Sequence, residues 1–208
     1  MSNLAYTLVA EGASDRALLP ILDWLLDQST SLIFQPQWPD LRQLRQPVGK
    51  LADRIRVAIE LQPCDLLFVH RDADHESRDY RVRQIRRSLR GLASPPAVCV
   101  VPVRMTEAWL LFDEPAIRFA AGNPHGTDGL GLPVIQTVEA VAEPKRVLAE
   151  ALRRACGLSG RRLKRWSPGD SVHRLSRLIG DYSPLRNLPA FRSLEQELLA
   201  ILKERGWS

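Results

Sequence analysis

Two aspartates two residues apart, Asp72 and Asp74, follow a short apolar run, Leu66-Leu67-Phe68-Val69, in the stretch DLLFVHRDADHE. Apolar runs of this length between polar residues fit a strand buried on both faces of a parallel sheet. Carboxylates so close at the end of a buried strand repel each other unless positive charge sits between them. Mg2+ meets that need, because it takes oxygen ligands and often only one or two protein carboxylates. A helix start is the other explanation, since Asp is favoured as an N-cap. A third acid, Glu11, directly follows another apolar run, LAYTLVA, and precedes Gly12, a residue that lets a ligand approach the backbone closely. Taken alone, Glu11 is a carboxylate at a strand end, placed to meet a ligand or to cap the first turn of a helix. His70 and His75 flank the aspartates. Mg2+ disfavours imidazole whereas Mn2+ accepts it, and His70 reads first as a buried, hydrogen-bonded histidine.

The elements that must position these acids alternate. Residues 4–10 read as a strand and 13–28 as a helix, with Leu18, Leu22, Leu25 and Leu26 at helical spacing, Ser14 as N-cap and Asp15 at the positive end of the helix dipole. Pro20 conflicts with that helix, because an interior proline loses a hydrogen bond. Residues 31–38 give a second strand, short or at an edge because of Pro36. A loop over 39–49, a helix over 50–61, a strand over 65–70, a helix over 76–91 ended by Gly91 and a strand over 97–103 follow. Strand–helix alternation predicts an α/β fold, a four-stranded parallel sheet flanked by helices of the Rossmann-like kind. Ligands of such sheets bind at the carboxyl ends of the strands, where Glu11, Asp72 and Asp74 all fall. Beyond the last strand come short helices over 104–112 and 114–121, a Gly-rich loop over 122–133, a helix over 144–156, a basic loop over 160–169, and helices over 170–180 and 188–205. Residues 1–104 form the α/β core and 105–208 a C-terminal helical elaboration packed on it within the same domain.

A chain of 208 residues with ordinary apolar content is long enough to bury a core. No stretch approaches the ~20 apolar residues of a membrane helix, and the first residues lack the basic start and cleavage site of a signal peptide. Three cysteines, Cys64, Cys99 and Cys156, without metal-site spacing read as reduced thiols of a cytoplasmic protein. The net charge of +5 comes mainly from arginine, which prefers bidentate partners such as phosphate and modestly favours a polyanionic partner, although many basic proteins never touch nucleic acid. Candidate contacts are Arg83, Arg86, Arg87 and Arg90 on one helix side, and the cluster Arg161, Arg162, Lys164, Arg165 with Trp166 as a stacking surface. Lys145 and Arg146 stand at a helix start. Lys145 and Arg146 read equally as a solvated surface, and for each of the other two patches taken singly a solvated basic face is the first reading.

Two segments, VAEGASD at 9–15 and LLFVHRDAD at 66–74, resemble a TOPRIM domain, which carries a glutamate after its first strand and Asp-x-Asp after its third. RMTEAWLLFDEPAI at 104–117, EPKRVL at 143–148 and LRNLPAFRSLEQEL at 185–198 narrow the likeness. Over nearly the whole chain it resembles small stand-alone TOPRIM-like proteins related to overcoming-lysogenization-defect (OLD-type) nucleases, whose genes often neighbour those of ABC-type ATPases in bacterial defence loci. The third-strand motif of that family usually continues to a glycine; here His75-Glu76-Ser77 follows. The resemblance implies a metal-dependent nuclease acting on nucleic acid, DNA first, in phage defence with an ATPase partner. Asp72 and Asp74 would hold Mg2+ or Mn2+, Glu11 would be a further metal ligand or the general acid/base, Glu107 would join them as a further catalytic acid, and Arg104 would contact phosphate. No domain with a nucleophilic tyrosine is visible, so topoisomerase chemistry is not expected. Two other readings stand beside it: a non-catalytic TOPRIM-like module that binds nucleic acid or a partner, and a phosphotransferase using an Asp nucleophile, although that chemistry normally places its Asp-x-Asp after the first strand.

Overall fold

A computed structural model describes residues 3–44 and 48–208, with the side chain of Asp170 outside the description. The expected loop over 39–49 therefore lies partly outside the described residues, at 45–47; its visible part holds a 3-10 turn, Leu41–Gln43. Four strands form one parallel sheet: β1 (Asn3–Val9), β2 (Ile33–Gln37), β3 (Leu66–His70) and β4 (Ala97–Val100), in the order β2-β1-β3-β4. The chain steps from β1 outward to β2, then crosses back over β1 to β3. The carboxyl ends of β1 and β3 therefore flank the point where the strand order reverses, the place where such sheets bind ligands.

Side chains alternate across the sheet with a period of two, and the two faces receive different partners. Leu4, Tyr6, Leu8, Leu66, Phe68, Val98 and Val100 enter the larger core. There they meet α1 (Leu19–Asp27), α4 (Glu114–Ala120), α5 (Pro144–Ala155), α7 (Gly169–Leu178) and α8 (Pro189–Arg205). Trp109 is fully buried in this core, edge-on to Phe191 at 5.5 Å between ring centres. Val9, Leu67, Val69, Cys99 and Val101 face the opposite side, against Ile55 and Ala58 of α2 (Leu51–Leu61) and Ile85 of α3 (Arg78–Leu89). The fold is thus α/β with helices on both faces of an all-parallel sheet.

Several local expectations shift. The helix over 13–28 splits into a 3-10 turn, Ser14–Leu18, and α1. This break removes the conflict at Pro20: the proline sits in the first turn of α1, where its missing N–H costs nothing. Ser14 is not the cap; its hydroxyl bonds Asp15 instead. The helix over 104–112 is only a 3-10 turn, Thr106–Leu110, because Arg104 adopts a left-handed backbone (φ 66°) and Met105 an extended one. The basic segment over 160–169 contains a short helix, α6 (Gly160–Arg165), with no buried residue, so no apolar periodicity announced it.

Both sheet edges are guarded. Pro36 interrupts the exposed edge of β2. On β4, Glu197 of α8 accepts the Cys99 N–H at 2.9 Å, and Arg86 pairs with Glu197 while donating to the Ala97 carbonyl at 2.9 Å. Arg86, expected with the nucleic-acid face, is thus engaged in closing the sheet. Among the described residues no helix is long and apolar enough to cross a membrane.

Candidate functional site

Three ligand atoms converge between the carboxyl ends of β1 and β3: Asp15 Oδ2, His70 Nε2 and Asp72 Oδ1. His70 is the last residue of β3 and points, like Leu66 and Phe68, into the larger core. It is 1 % exposed. Its Nδ1 lies 3.0 Å from the Val100 carbonyl oxygen, which can only accept, so that nitrogen carries a hydrogen. Nε2 is left facing two carboxylates, 3.5 Å from Asp72 Oδ1 and 3.8 Å from Asp15 Oδ2, with Thr106 Oγ1 at 3.4 Å.

Each carboxylate is pinned by backbone. Asp15 Oδ2 accepts the N–H groups of Glu11 at 3.0 Å and Gly12 at 2.7 Å. The same stretch is fixed from α2 by Arg54, which donates to the carbonyls of Ala10 and Glu11. Asp72 Oδ1 accepts the Thr106 N–H at 2.9 Å. Backbone donors cannot swing away, so both acids are held in place before anything binds. Burial pushes the Asp72 carboxyl up to about 6; His70 and the Thr106 N–H pull it down, and the charges of Asp15 and Glu107 push it up. Glu107, in the Thr106–Leu110 turn, is itself buried and has no ion pair among the described residues.

Three buried or half-buried acids and one imidazole, with one imidazole hydrogen already committed, make a site that needs a cation or a proton at its centre. Oxygen and nitrogen donors about 2.1 Å from one hard cation stand ~3 to ~4 Å from one another, and the separations of 3.5 and 3.8 Å fall within that span. The donor set therefore fits a divalent ion. With an imidazole among the donors it fits Mn2+ better than Mg2+.

The expected metal set was Glu11, Asp72 and Asp74, and the structure brings only Asp72 into the converging group. Glu11 is half exposed and its Oε1 lies 3.0 Å from Arg71 Nε. Asp74 is exposed and its Oδ2 lies 3.4 Å from Arg81. Gln84 of α3 receives hydrogen bonds from both arginines, at 2.8 Å from Arg71 and 3.1 Å from Arg81, so one amide positions both partners. The physical reason Asp74 leaves the group is its backbone. Asp74 has φ 54° and faces Arg104, also left-handed; the Asp74 N–H donates to the Arg104 carbonyl at 2.8 Å, and the Arg104 guanidinium returns a bond to the Asp74 carbonyl at 3.1 Å. Two non-glycine residues in this conformation cost energy that the surroundings must hold, and the strand alternation that carries His70 and Asp72 to one face ends there.

Of the expected phosphate contacts, Arg104 and Lys145 line one cavity of about 430 Å3 together with Asp74, His75, Glu143 and Arg146. Arg146 is itself paired with Glu143 and Glu150. Arg83 and Arg87 are exposed on α3, and Arg162, Lys164 and Arg165 are exposed on α6. Trp166, expected as a stacking surface, packs partly buried against the larger core. The residues that sequence reasoning missed are Asp15 and His70. Strand alternation through 66, 68, 70 and 72 was the signal for His70, and Asp15 stood within the VAEGASD segment as a presumed helix-dipole acid. Comparison with known proteins finds no matching family model, no matching curated protein and no matching solved structure.

Proposed function

We propose that the protein is a metal-dependent nuclease that hydrolyses phosphodiester bonds of nucleic acid, DNA first. The observation that carries this reading is the convergence of Asp15 Oδ2, His70 Nε2 and Asp72 Oδ1 at the reversal point of the sheet. Asp15, Asp72 and His70 would hold Mn2+ or Mg2+, with Glu107 adding negative charge behind them. The chemistry such an ion would supply there is polarisation of a phosphodiester and a bound water acidic enough to attack near neutral pH. Backbone N–H groups of Glu11, Gly12 and Thr106 keep the two aspartates aimed. Arg104 and Lys145 bind substrate phosphate in the adjoining cavity. A phosphate competing for Arg71 frees Glu11, which then takes or gives a proton at the rim. An ABC-type ATPase partner and a place in phage defence rest on the resemblance to OLD-type proteins.

A second reading, a non-catalytic module that binds nucleic acid or a partner, is favoured by one observation: Glu11 and Asp74 are already neutralised by Arg71 and Arg81. Calorimetry with Mn2+ separates the two. The nuclease reading expects binding that Asp72→Asn weakens at least tenfold, together with Mn2+-dependent nicking of supercoiled plasmid that the same variant loses. No Mn2+ binding at millimolar concentration, and no nicking with or without an ATPase partner, would leave the module.

A further inference from the structure

The cavity on the other flank of the triad has no part in the reading above. It measures about 640 Å3 and lies between the Ser14–Leu18 turn and the start of α1, the end of β2, and α7. Leu19, Pro20, Pro36 and Leu178 form the apolar part of its wall, and His173 and Ser176 add polar groups. Arg16 from the turn and Arg174 and Arg177 from α7 converge on it. None of these arginines is ion-paired among the described side chains; two are braced by aromatic rings instead. The Arg16 guanidinium carbon is 5.7 Å from the centre of the Trp38 ring and that of Arg174 is 5.9 Å from Phe119. An aromatic face steadies a guanidinium without using its N–H donors, so the forks stay open to a bidentate acceptor. Three like charges around one opening repel, and an anion between them removes the repulsion.

The cavity also holds an acceptor. Asp23 Oδ1 receives the Tyr6 hydroxyl at 2.6 Å, which anchors the carboxylate and leaves its second oxygen available. Apolar walls, an anchored carboxylate and cationic forks match the faces of a base, its N–H donors and its phosphate. The volume falls within the ~300–1,000 Å3 of ligand pockets. The cavity lies along the β2 edge of the sheet: Pro36, its one lining residue from a strand, is in register with Tyr6 of β1, whose hydroxyl bonds Asp23. Its link to the triad is the Ser14–Leu18 turn, which carries Asp15 to the triad and Arg16 to the cavity.

We propose that this cavity binds a nucleotide, the one flanking the reacting phosphodiester when the ligand is a strand. Its place along the strand rests on the nuclease reading; nucleotide binding itself does not, and it is measured in EDTA. The probe is a fluorescein-labelled ten-nucleotide single-stranded DNA followed by anisotropy. Arg16→Ala/Arg174→Ala/Arg177→Ala, checked for an unchanged thermal midpoint, is expected to bind at least tenfold more weakly, with a salt slope shallower by about 2. Lys203→Ala/Arg205→Ala, which removes charge from α8 away from the cavity, is expected to bind as wild type does. Asp72→Asn is expected to keep EDTA binding even though it loses cleavage, so a failed nuclease reading and a failed cavity give different patterns. Displacement of the probe by AMP identifies a free nucleotide as sufficient; displacement only by unlabelled oligonucleotide identifies a nucleotide within a strand. Both support the cavity if the triple variant removes them. Wild-type binding absent in EDTA, triple-variant binding within twofold of wild type, or an equal loss in the α8 variant overturns it.

Discussion

The acids of this protein fall into two groups that sit within a few residues of each other yet obey different physics. Asp15 and Asp72 are held by backbone N–H groups and face His70, and among the described residues no Lys or Arg pairs with either. Glu11 and Asp74 stand further out, each against an arginine that Gln84 positions. Within the inner group Asp72 stores unfavourable charge, because burial and neighbouring acids make its ionised form costly. The outer pair is compensated and wet, so its ion pairs contribute little. The inner group is thus poised to gain by binding a cation, whereas the outer one already has its counter-charges.

The sharpest way to break that contrast is to remove Asp15. Asp15→Ala removes the acceptor of two part-buried backbone donors, Glu11 N–H and Gly12 N–H, each such bond contributing about 1 kcal/mol. A fall of about 2 kcal/mol in urea-unfolding stability is the expected result, with Mn2+ affinity lost as well. A change under 1 kcal/mol would mean that the 10–12 stretch does not depend on this carboxylate.

Asp72→Asn acts in the opposite direction. Asparagine keeps an acceptor for the Thr106 N–H and discards the charge. The folded-state value of about 6 lies above the ordinary 3.8, so the protonated acid stabilises the fold fully below pH 3.8 and that stability is lost as pH rises through about 6. The variant should therefore match wild type near pH 3.5, pull ahead between pH 4 and 6, and stay ahead at pH 7–8 by up to about 3 kcal/mol in EDTA. Mn2+ should reverse the order, since only wild type gains from the ion. For the same reason wild-type Mn2+ affinity should fall as pH drops through about 6. A Tm difference between the two proteins that does not vary with pH would remove the inner group's stored charge from the account.

The outer pair gives the smaller numbers. Glu11→Gln and Asp74→Asn should each change stability by less than ~1 kcal/mol and leave Mn2+ affinity within twofold of wild type. Activity tells them apart: Glu11→Gln should lower nicking through lost proton transfer while Asp74→Asn should not. A large loss of Mn2+ affinity in either would return that acid to the metal shell and require its arginine to move away on binding.

These distinctions mark what the sequence could and could not say. The apolar runs and their polar ends made β1 and β3 and their carboxyl termini readable, and with them the neighbourhood of Glu11, Asp72 and Asp74, whereas the strand expected over 97–103 already ends at Val100. Alternation with a period of two already put His70 and Asp72 on one face, but a histidine within an apolar run reads first as core. What no pattern carried was the pair of left-handed backbones at Asp74 and Arg104, since neither is glycine or asparagine. That single turn moves Asp74 from the inner group to the outer one. Asp15 was hidden for a related reason: an acid after Ser14 looks like a helix start, whereas the turn bends it back to receive the N–H groups that precede it.

Gly12 offers the finest cut between fold and ligand. A methyl group there would meet Ser14 Oγ at 3.4 Å and the Asp15 carboxylate oxygens at 3.6 Å, ordinary contact distances, and its φ is not one that demands glycine. Gly157 is the opposite case, with φ 63° and a Cβ position 2.7 Å from the Asn123 amide, so glycine there serves the fold. Gly12→Ala should therefore fold as well as wild type or gain about 0.5 kcal/mol by restricting the unfolded chain. It keeps the N–H that Asp15 accepts, so Mn2+ affinity should stay within twofold. If substrate passes against the 11–12 backbone, between the triad and the rim, the added methyl group should still cut nicking at least tenfold. Loss of activity with intact fold and metal binding would make Gly12 part of the substrate track; unchanged nicking would move that track outward, toward the arginines at the rim.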